Sequence, residues 1–332
     1  MRIASGQMIC GLGPFAGQPD PPTSGVAFYV NDFQLRDALP WKVPREWFLA
    51  SDLSELRKWC GRFAEAAEPV LEWTPPEESR FASVYDRIKE GIRSGAFQKS
   101  VPVLTERGRL SAGQWEGLLE RVESLPEPFF SYGCRFGDRG LLGASPELLF
   151  AVRGRKLETM ALAGTVECGE IDRFERDPKE ISEHELVAEY LCRELDTIGT
   201  VKREPRFALR LGPIAHLLSV IHVCLNENPE LNSLIRTLHP TPALGTLPRN
   251  DDTLSRLHAF REELDTPGWF GAPFGAWIEG EFLAVVAIRN IIWDDREAYL
   301  AAGCGLIEAS QLENEWRELG LKRLAVKRML GL

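Results

Sequence analysis

The stretch Leu141–Gly199, LLGASPELLFAVRGRKLETMALAGTVECGEIDRFERDPKEISEHELVAEYLCRELDTIG, decides the fold class. Its first half holds two strand-like apolar runs around turns, LLGASPELLFAV and KLETMALAGTV. Its second half reads as a strong helix, Pro178 to Ile198, with proline in the first turn and Gly199 as its stop. The two strands follow one another before a helix intervenes, unlike the regular alternation that builds a parallel sheet. Upstream, Phe81, Val84, Tyr85, Ile88 and Ile92 recur at helical spacing as far as Gly95, and FQKSVPVLT (Phe97–Thr105) alternates like a strand. Downstream, FLAVVAIRNIIW (Phe282–Trp293) and Ala298–Ile307 read as strands, and Glu313–Leu330 as a last helix. Strands and helices are interspersed without βαβ order, so the class is α+β.

The bulk properties exclude several functions. The chain has 332 residues, 44% of them hydrophobic, enough for a large packed core. No run reaches the roughly 18–20 uncharged apolar residues of a membrane helix. The beginning, MRIASGQMICGLG, lacks the apolar run and basic cluster of a secretory signal. Seven cysteines (Cys10, Cys60, Cys134, Cys168, Cys192, Cys224, Cys304) stand singly with no CxxC pair. That argues against a thiolate zinc site and fits a reducing, cytoplasmic setting. A formal net charge of −10, with no basic run beyond the C-terminal LKRLAVKRML, makes nucleic acid and anionic membrane unexpected partners. An acidic chain can still bind a small anion if a local cation or metal supplies the charge. Gx4GK[ST], GxSxG and HExxH are absent. Pro-rich punctuation at Gly17–Ser24 and Trp73–Glu78 (WTPPEE) sets off the first seventy or so residues as a small preceding layer.

A few residues invite chemistry, and each also has an ordinary reading. Lys99 shares a strand face with Phe97, Val101 and Val103. Desolvated there, its amine can serve as a base; otherwise it is an edge-strand lysine reaching for water. Glu147, in ASPELLF, is either a half-buried general acid or a turn glutamate. Glu180 and Glu183 continue the apolar stripe of Val187 and Leu191 on one helix; Glu315, Glu318 and Lys322 line up with Ala325 and Met329 on another. Two such helices facing one cavity make an all-oxygen site suited to Mg²⁺, and two acidic solvated faces are the alternative. Arg289 lies in a run otherwise apolar on both faces, so its guanidinium needs a structural carboxylate or an anionic ligand. The glycines of Gly303–Gly305 (GCG) permit close backbone approach to a ligand. His184, in SEHEL, reads as packing or as support behind a ligand.

The order of these segments carries more than any one of them. FQK, ASPELLF, ALAGT, SEHELV, LHPTPALG, AIR, AGCG and EWRELGLK form a ladder that resembles the chorismate-utilising enzymes. The resemblance runs from about residue 78 to the C-terminus. It is nearest to the isochorismate synthases, through the lysine after FQ, the form of LHPTPALG (Leu238–Gly245), and Ala163 where aminodeoxychorismate synthases tend to place a nucleophilic lysine. The resemblance implies two large, mostly antiparallel β-sheets packed as a sandwich with surrounding helices. Residues 78–332 would be the chorismate-binding catalytic domain, and 1–77 a divergent, shortened N-terminal part of the same domain.

It further implies that Lys99 activates water for attack at carbon 2 of chorismate and Glu147 protonates the departing carbon-4 hydroxyl. Glu183 and Glu318 would hold Mg²⁺, with Glu180 and Glu315 close by. Arg289 and Lys322 would bind substrate carboxylate near Gly164, Thr165, His216 and Gly305. The expected partner is the small molecule chorismate, with no glutaminase subunit. The rivals are a salicylate synthase, an ammonia-using anthranilate or aminodeoxychorismate synthase, and a non-catalytic chorismate-binding relative. Pro102, Glu106, Met160, Thr246 and Glu308 depart from what these motifs ordinarily carry.

Overall fold

A computed structural model describes residues 1–3, 6–59 and 66–332. Two antiparallel sheets dominate. The larger has ten strands, in the order Met8–Gln18, Trp41–Ala50, Val26–Val30, Pro273–Ile278, Glu281–Val286, Leu148–Arg153, Lys156–Glu167, Ile214–Leu225 and Gly199–Arg203, with Phe207–Leu211 also pairing to Ile214–Leu225. The smaller has six, in the order Val70–Thr74, Val103–Ala112, Glu297–Gly303, Asn290–Asp294, Arg139–Ser145 and Phe130–Phe136. The α+β sandwich expected from the sequence is the observed architecture.

Period-two alternation in the small sheet builds two cores at once. Leu141, Ile292 and Ala301 face the large sheet and join the main core beside Phe150, Ala161 and Val285. Their neighbours Leu142, Ile291 and Leu300 face the other way and pack on Val326 and Leu330 of the last helix, Leu312–Leu330. Helix Pro178–Asp196 lies on the strands Lys156–Glu167 and Ile214–Leu225 and buries Val187 and Leu191.

Several local expectations change. The segment 8–50 is no separate layer, because its three strands lie within the large sheet. FQKSVPVLT is not one strand. Lys99–Ser100 pairs with Thr246–Leu247, Pro102 offers no N–H to continue the ladder, and a second strand starts at Val103. FLAVVAIRNIIW likewise divides into Glu281–Val286 and Asn290–Asp294, one in each sheet. The strand read as Ala298–Ile307 ends at Gly303. Helix Pro178–Asp196 closes at Thr197 in right-handed conformation, and Gly199 opens the next strand instead of capping the helix. On the last helix the buried stripe is Glu315, Leu319, Arg323, Val326 and Leu330, while Ala325 and Met329 lie at its half-buried margin. Six cysteines are free thiols, and Cys60 lies outside the described residues. No helix among the described residues is long and apolar enough to cross a membrane.

Candidate active site

Two places where the chain passes from one sheet to the other lie side by side. Pro146 and Glu147 separate Arg139–Ser145 in the small sheet from Leu148–Arg153 in the large one; residues 287–289 make the reverse passage. The Val286 N–H donates to the Glu147 carbonyl at 3.0 Å, and the Ser145 hydroxyl donates to the Val286 carbonyl at 2.7 Å. The Ala144 N–H donates to the Arg289 carbonyl at 3.2 Å. This stitching fixes Glu147 and Arg289 on the wall of one cleft of about 600 Å³ between the sheets. Leu162, Ala163, Leu244, Phe270 and Ala301 supply its apolar wall; Gly164, Thr165, Glu183, His216, Gly305 and Lys322 supply its polar one.

Glu147 is 3% exposed. Burial pushes its carboxyl up to about 7, against the opposing pull of a 3.3 Å hydrogen bond donated by the Thr241 hydroxyl and the positive charges of Lys99, Lys322 and Arg289. It can therefore hold or give up a proton near neutral pH. Thr241, within the LHPTPALG segment, had no periodic signal to single it out.

Arg289 takes a left-handed backbone, φ 56°, which costs a non-glycine residue on the order of 1 kcal/mol or more. Its Nη2 lies 2.8 Å from His216 Nε2. His216 Nδ1 lies 2.6 Å from the Gly164 carbonyl and so carries the ring proton, leaving Nε2 to accept from Arg289. Burial first, and then the nearby Arg289 charge, hold the imidazole well below its usual range, so it stays neutral. Of the two partners foreseen for Arg289, the structural carboxylate is not what it touches. Among the described residues no ion pair engages it. Burial lowers its pKa to about 10, which leaves it charged at neutral pH.

Lys99 is completely buried and is not on the cleft wall. Its Nζ donates to Glu183 Oε1 at 2.9 Å, so Glu183 stands between it and the cleft. Burial alone would raise the Glu183 pKa, but the charges of Lys99 and Lys179 outweigh it and hold the carboxylate below its usual range. Thr246, one of the departures, lies opposite Ser100 in the short ladder and donates from Oγ1 to the Lys99 carbonyl at 3.0 Å. Gly305 allows the packing behind this pair, since a Cβ there would stand 2.0 Å from Glu183 Oε1. Gly164, at φ 73°, turns a bulge in its strand so that the Thr165 N–H donates to Glu180 Oε2 at 3.3 Å.

Each of the four helix carboxylates lies beside a lysine, and of the four Glu183 is the one on the cleft wall. Lys322 Nζ lies 2.6 Å from Glu318 Oε1 and donates to the Gly303 carbonyl at 2.7 Å. Lys179, passed over in the sequence because it merely precedes Glu180, lies 3.1 Å from both Glu180 Oε1 and Glu315 Oε1 and ties the two helices together. Burial raises both carboxyls to about 7; Glu183 and Glu318 push Glu180 further up, and Glu318 is the first to do so for Glu315. Neither oxygen of the wholly buried Glu315 accepts an aligned hydrogen bond. Four carboxylates against three ammoniums is an all-oxygen donor set with an excess negative charge, whose chemistry fits a hard divalent cation. As the side chains stand, no three His, Cys, Asp or Glu among the described residues gather at ligating distance. His184, on helix Pro178–Asp196, is buried with Nε2 3.0 Å from the Ser219 hydroxyl and is not on the cleft wall. Glu106, another departure, anchors the last helix from outside the site, 2.7 Å from Lys327 and 3.3 Å from Arg323.

Residues 52–331 match the family model of the chorismate binding enzymes, and the chain belongs to this family. Among curated proteins it is 33% identical over 266 residues to the salicylate biosynthesis isochorismate synthase of Pseudomonas aeruginosa, covering 75% of this chain and 54% of that protein. It is 31% identical over 238 residues to the isochorismate synthase MenF of Bacillus subtilis, covering 66% of this chain and 48% of that one. The chain thus spans about half the length of these relatives. Its fold matches that of MenF, the menaquinone-specific isochorismate synthase from Escherichia coli, with a TM-score of 0.73 at 20% identity over 93% of this chain and 79% of the other.

Proposed function

We propose that this chain isomerises chorismate to isochorismate. The observation that carries the reading is Glu147, a buried carboxyl that titrates near neutrality, on the same cleft wall as the buried Arg289 guanidinium, which no carboxylate among the described residues pairs with. The family and the isochorismate synthases among its relatives support it. So does Ala163 on the cleft wall, which offers no nucleophilic amine. Glu147 protonates the leaving carbon-4 hydroxyl, and Lys99 removes a proton from the water that attacks carbon 2. Lys99 is engaged with Glu183 as an ammonium, so its service as base requires that ion pair to open and the ammonium first to release a proton to solvent. Arg289, held by neutral His216, and Lys322 bind substrate carboxylate. Glu180, Glu183, Glu315 and Glu318 would hold Mg²⁺, which supplies positive charge against a dianionic substrate. We take residues 1–77 as part of the same domain, since their strands lie within both sheets.

The test is to incubate the protein with chorismate and Mg²⁺, with and without ammonium, and to identify the products by chromatography and mass. Isochorismate, lost on adding a chelator, is expected. Salicylate with pyruvate, an ammonium-dependent aminated product, or unchanged chorismate would each replace the proposal with one named rival. R289M is expected to raise KM for chorismate by about 10- to 100-fold, the worth of one charged hydrogen-bonded contact of ~1.5–3 kcal/mol. Steady-state kinetics check this, and an unaltered KM removes Arg289 from substrate binding.

A further inference from the structure

Lys179 sits where a cation would have to go. Its ammonium is 3.1 Å from Glu180 on its own helix and 3.1 Å from Glu315 on the last helix, and nothing else bridges that pair of carboxylates among the described residues. Glu315 is wholly buried, and among the described residues the Lys179 ammonium is the one cation within ion-pair distance of it. The lysine side chain itself retains 22% exposure, which gives the ammonium a route to water that the wholly buried Lys99 lacks. A four-carbon stem with three freely rotating donors is suited to exchange partners in this way.

We propose that Lys179 is a built-in counter-cation that occupies the Glu180–Glu315 half of the carboxylate site and is displaced when a divalent cation enters. The lysine keeps the converging carboxylates from repelling one another in the metal-free protein, and it competes with the metal for the same oxygens. Metal affinity is then set partly by this chain's own ammonium. The inference rests on the reading of the two helices as a divalent-cation site.

Two measurements test it. Calorimetric titration of substrate-free protein with Mg²⁺ should show K179M binding at least about tenfold more tightly than wild type, because a competing charge has gone. K179R, which keeps the charge, should stay near the wild-type affinity. Unchanged or weaker binding by a folded K179M, with wild type binding normally, overturns the inference and leaves the metal site standing. Absence of Mg²⁺ binding by both wild type and K179M overturns site and inference together. The second measurement uses the unaltered protein: acetylation of Lys179 by acetic anhydride, followed by peptide mass spectrometry, should rise severalfold on adding Mg²⁺, with Lys99 unlabelled as the buried reference. Labelling that stays constant or falls as Mg²⁺ saturates the protein overturns displacement, whatever the stability of K179M.

Discussion

E147Q is expected to lower turnover by about 10²–10⁴-fold with little change in KM, the usual loss when a positioned general acid is removed. The pH dependence sharpens this. The Glu147 carboxyl titrates at about 7, so the acid form prevails below neutrality. Wild-type kcat should therefore be level in mildly acidic buffer and fall about tenfold per unit well above pH 7, and the residual rate of E147Q should lack that limb. Stability should fall with rising pH as well. The folded-state pKa lies above the unfolded value of 4.5, so the contribution of Glu147 is fully present below pH 4.5 and lost as pH rises through 7. Glutamine removes that loss, so at pH 8 the variant should gain on wild type by on the order of 3 kcal/mol relative to the same comparison at pH 4. Rates within threefold of wild type across this range would take the acid role away from Glu147.

K99M is expected to abolish measurable turnover and also to destabilise the fold, by about 3–5 kcal/mol, because it strands the buried Glu183 carboxylate. Urea unfolding measures the second effect. Adding E183Q should recover much of the stability without restoring activity, since it removes the stranded charge and not the need for a base. A K99M enzyme that turns over normally would end the assignment of Lys99. Loss of turnover with unchanged stability would instead show that the Lys99–Glu183 pair contributes nothing to the fold.

Some of this was legible without coordinates because it depends on short-range pattern. Strands succeeding strands before Pro178, helical spacing at Phe81–Ile92, and a carboxylate stripe continuous with Val187 and Leu191 are local regularities, and the observed sheets and helices follow them. The ladder of motifs located Glu147, Glu183, Arg289 and Gly305, all of which line one cleft. What the sequence could not carry were the partners. Whether Lys99 faces water or a carboxylate depends on a helix 84 positions further along the chain. Arg289 meets an imidazole 73 positions away, and Glu147 accepts from a threonine 94 positions away. The apolar runs around Pro102 and Ala287 looked continuous because hydrophobicity alone does not record a change of sheet; the missing proline N–H and the left-handed Arg289 do. Sequence alone was enough for the order of strand-rich and helical segments, the apolar stripes of the helices and the placement of charged side chains along them, since those follow from neighbours within a few residues. Only the tertiary structure decided which charges meet and which carboxyl titrates near neutrality, because desolvation and Coulomb interaction depend on distances that close when the sheets pack together.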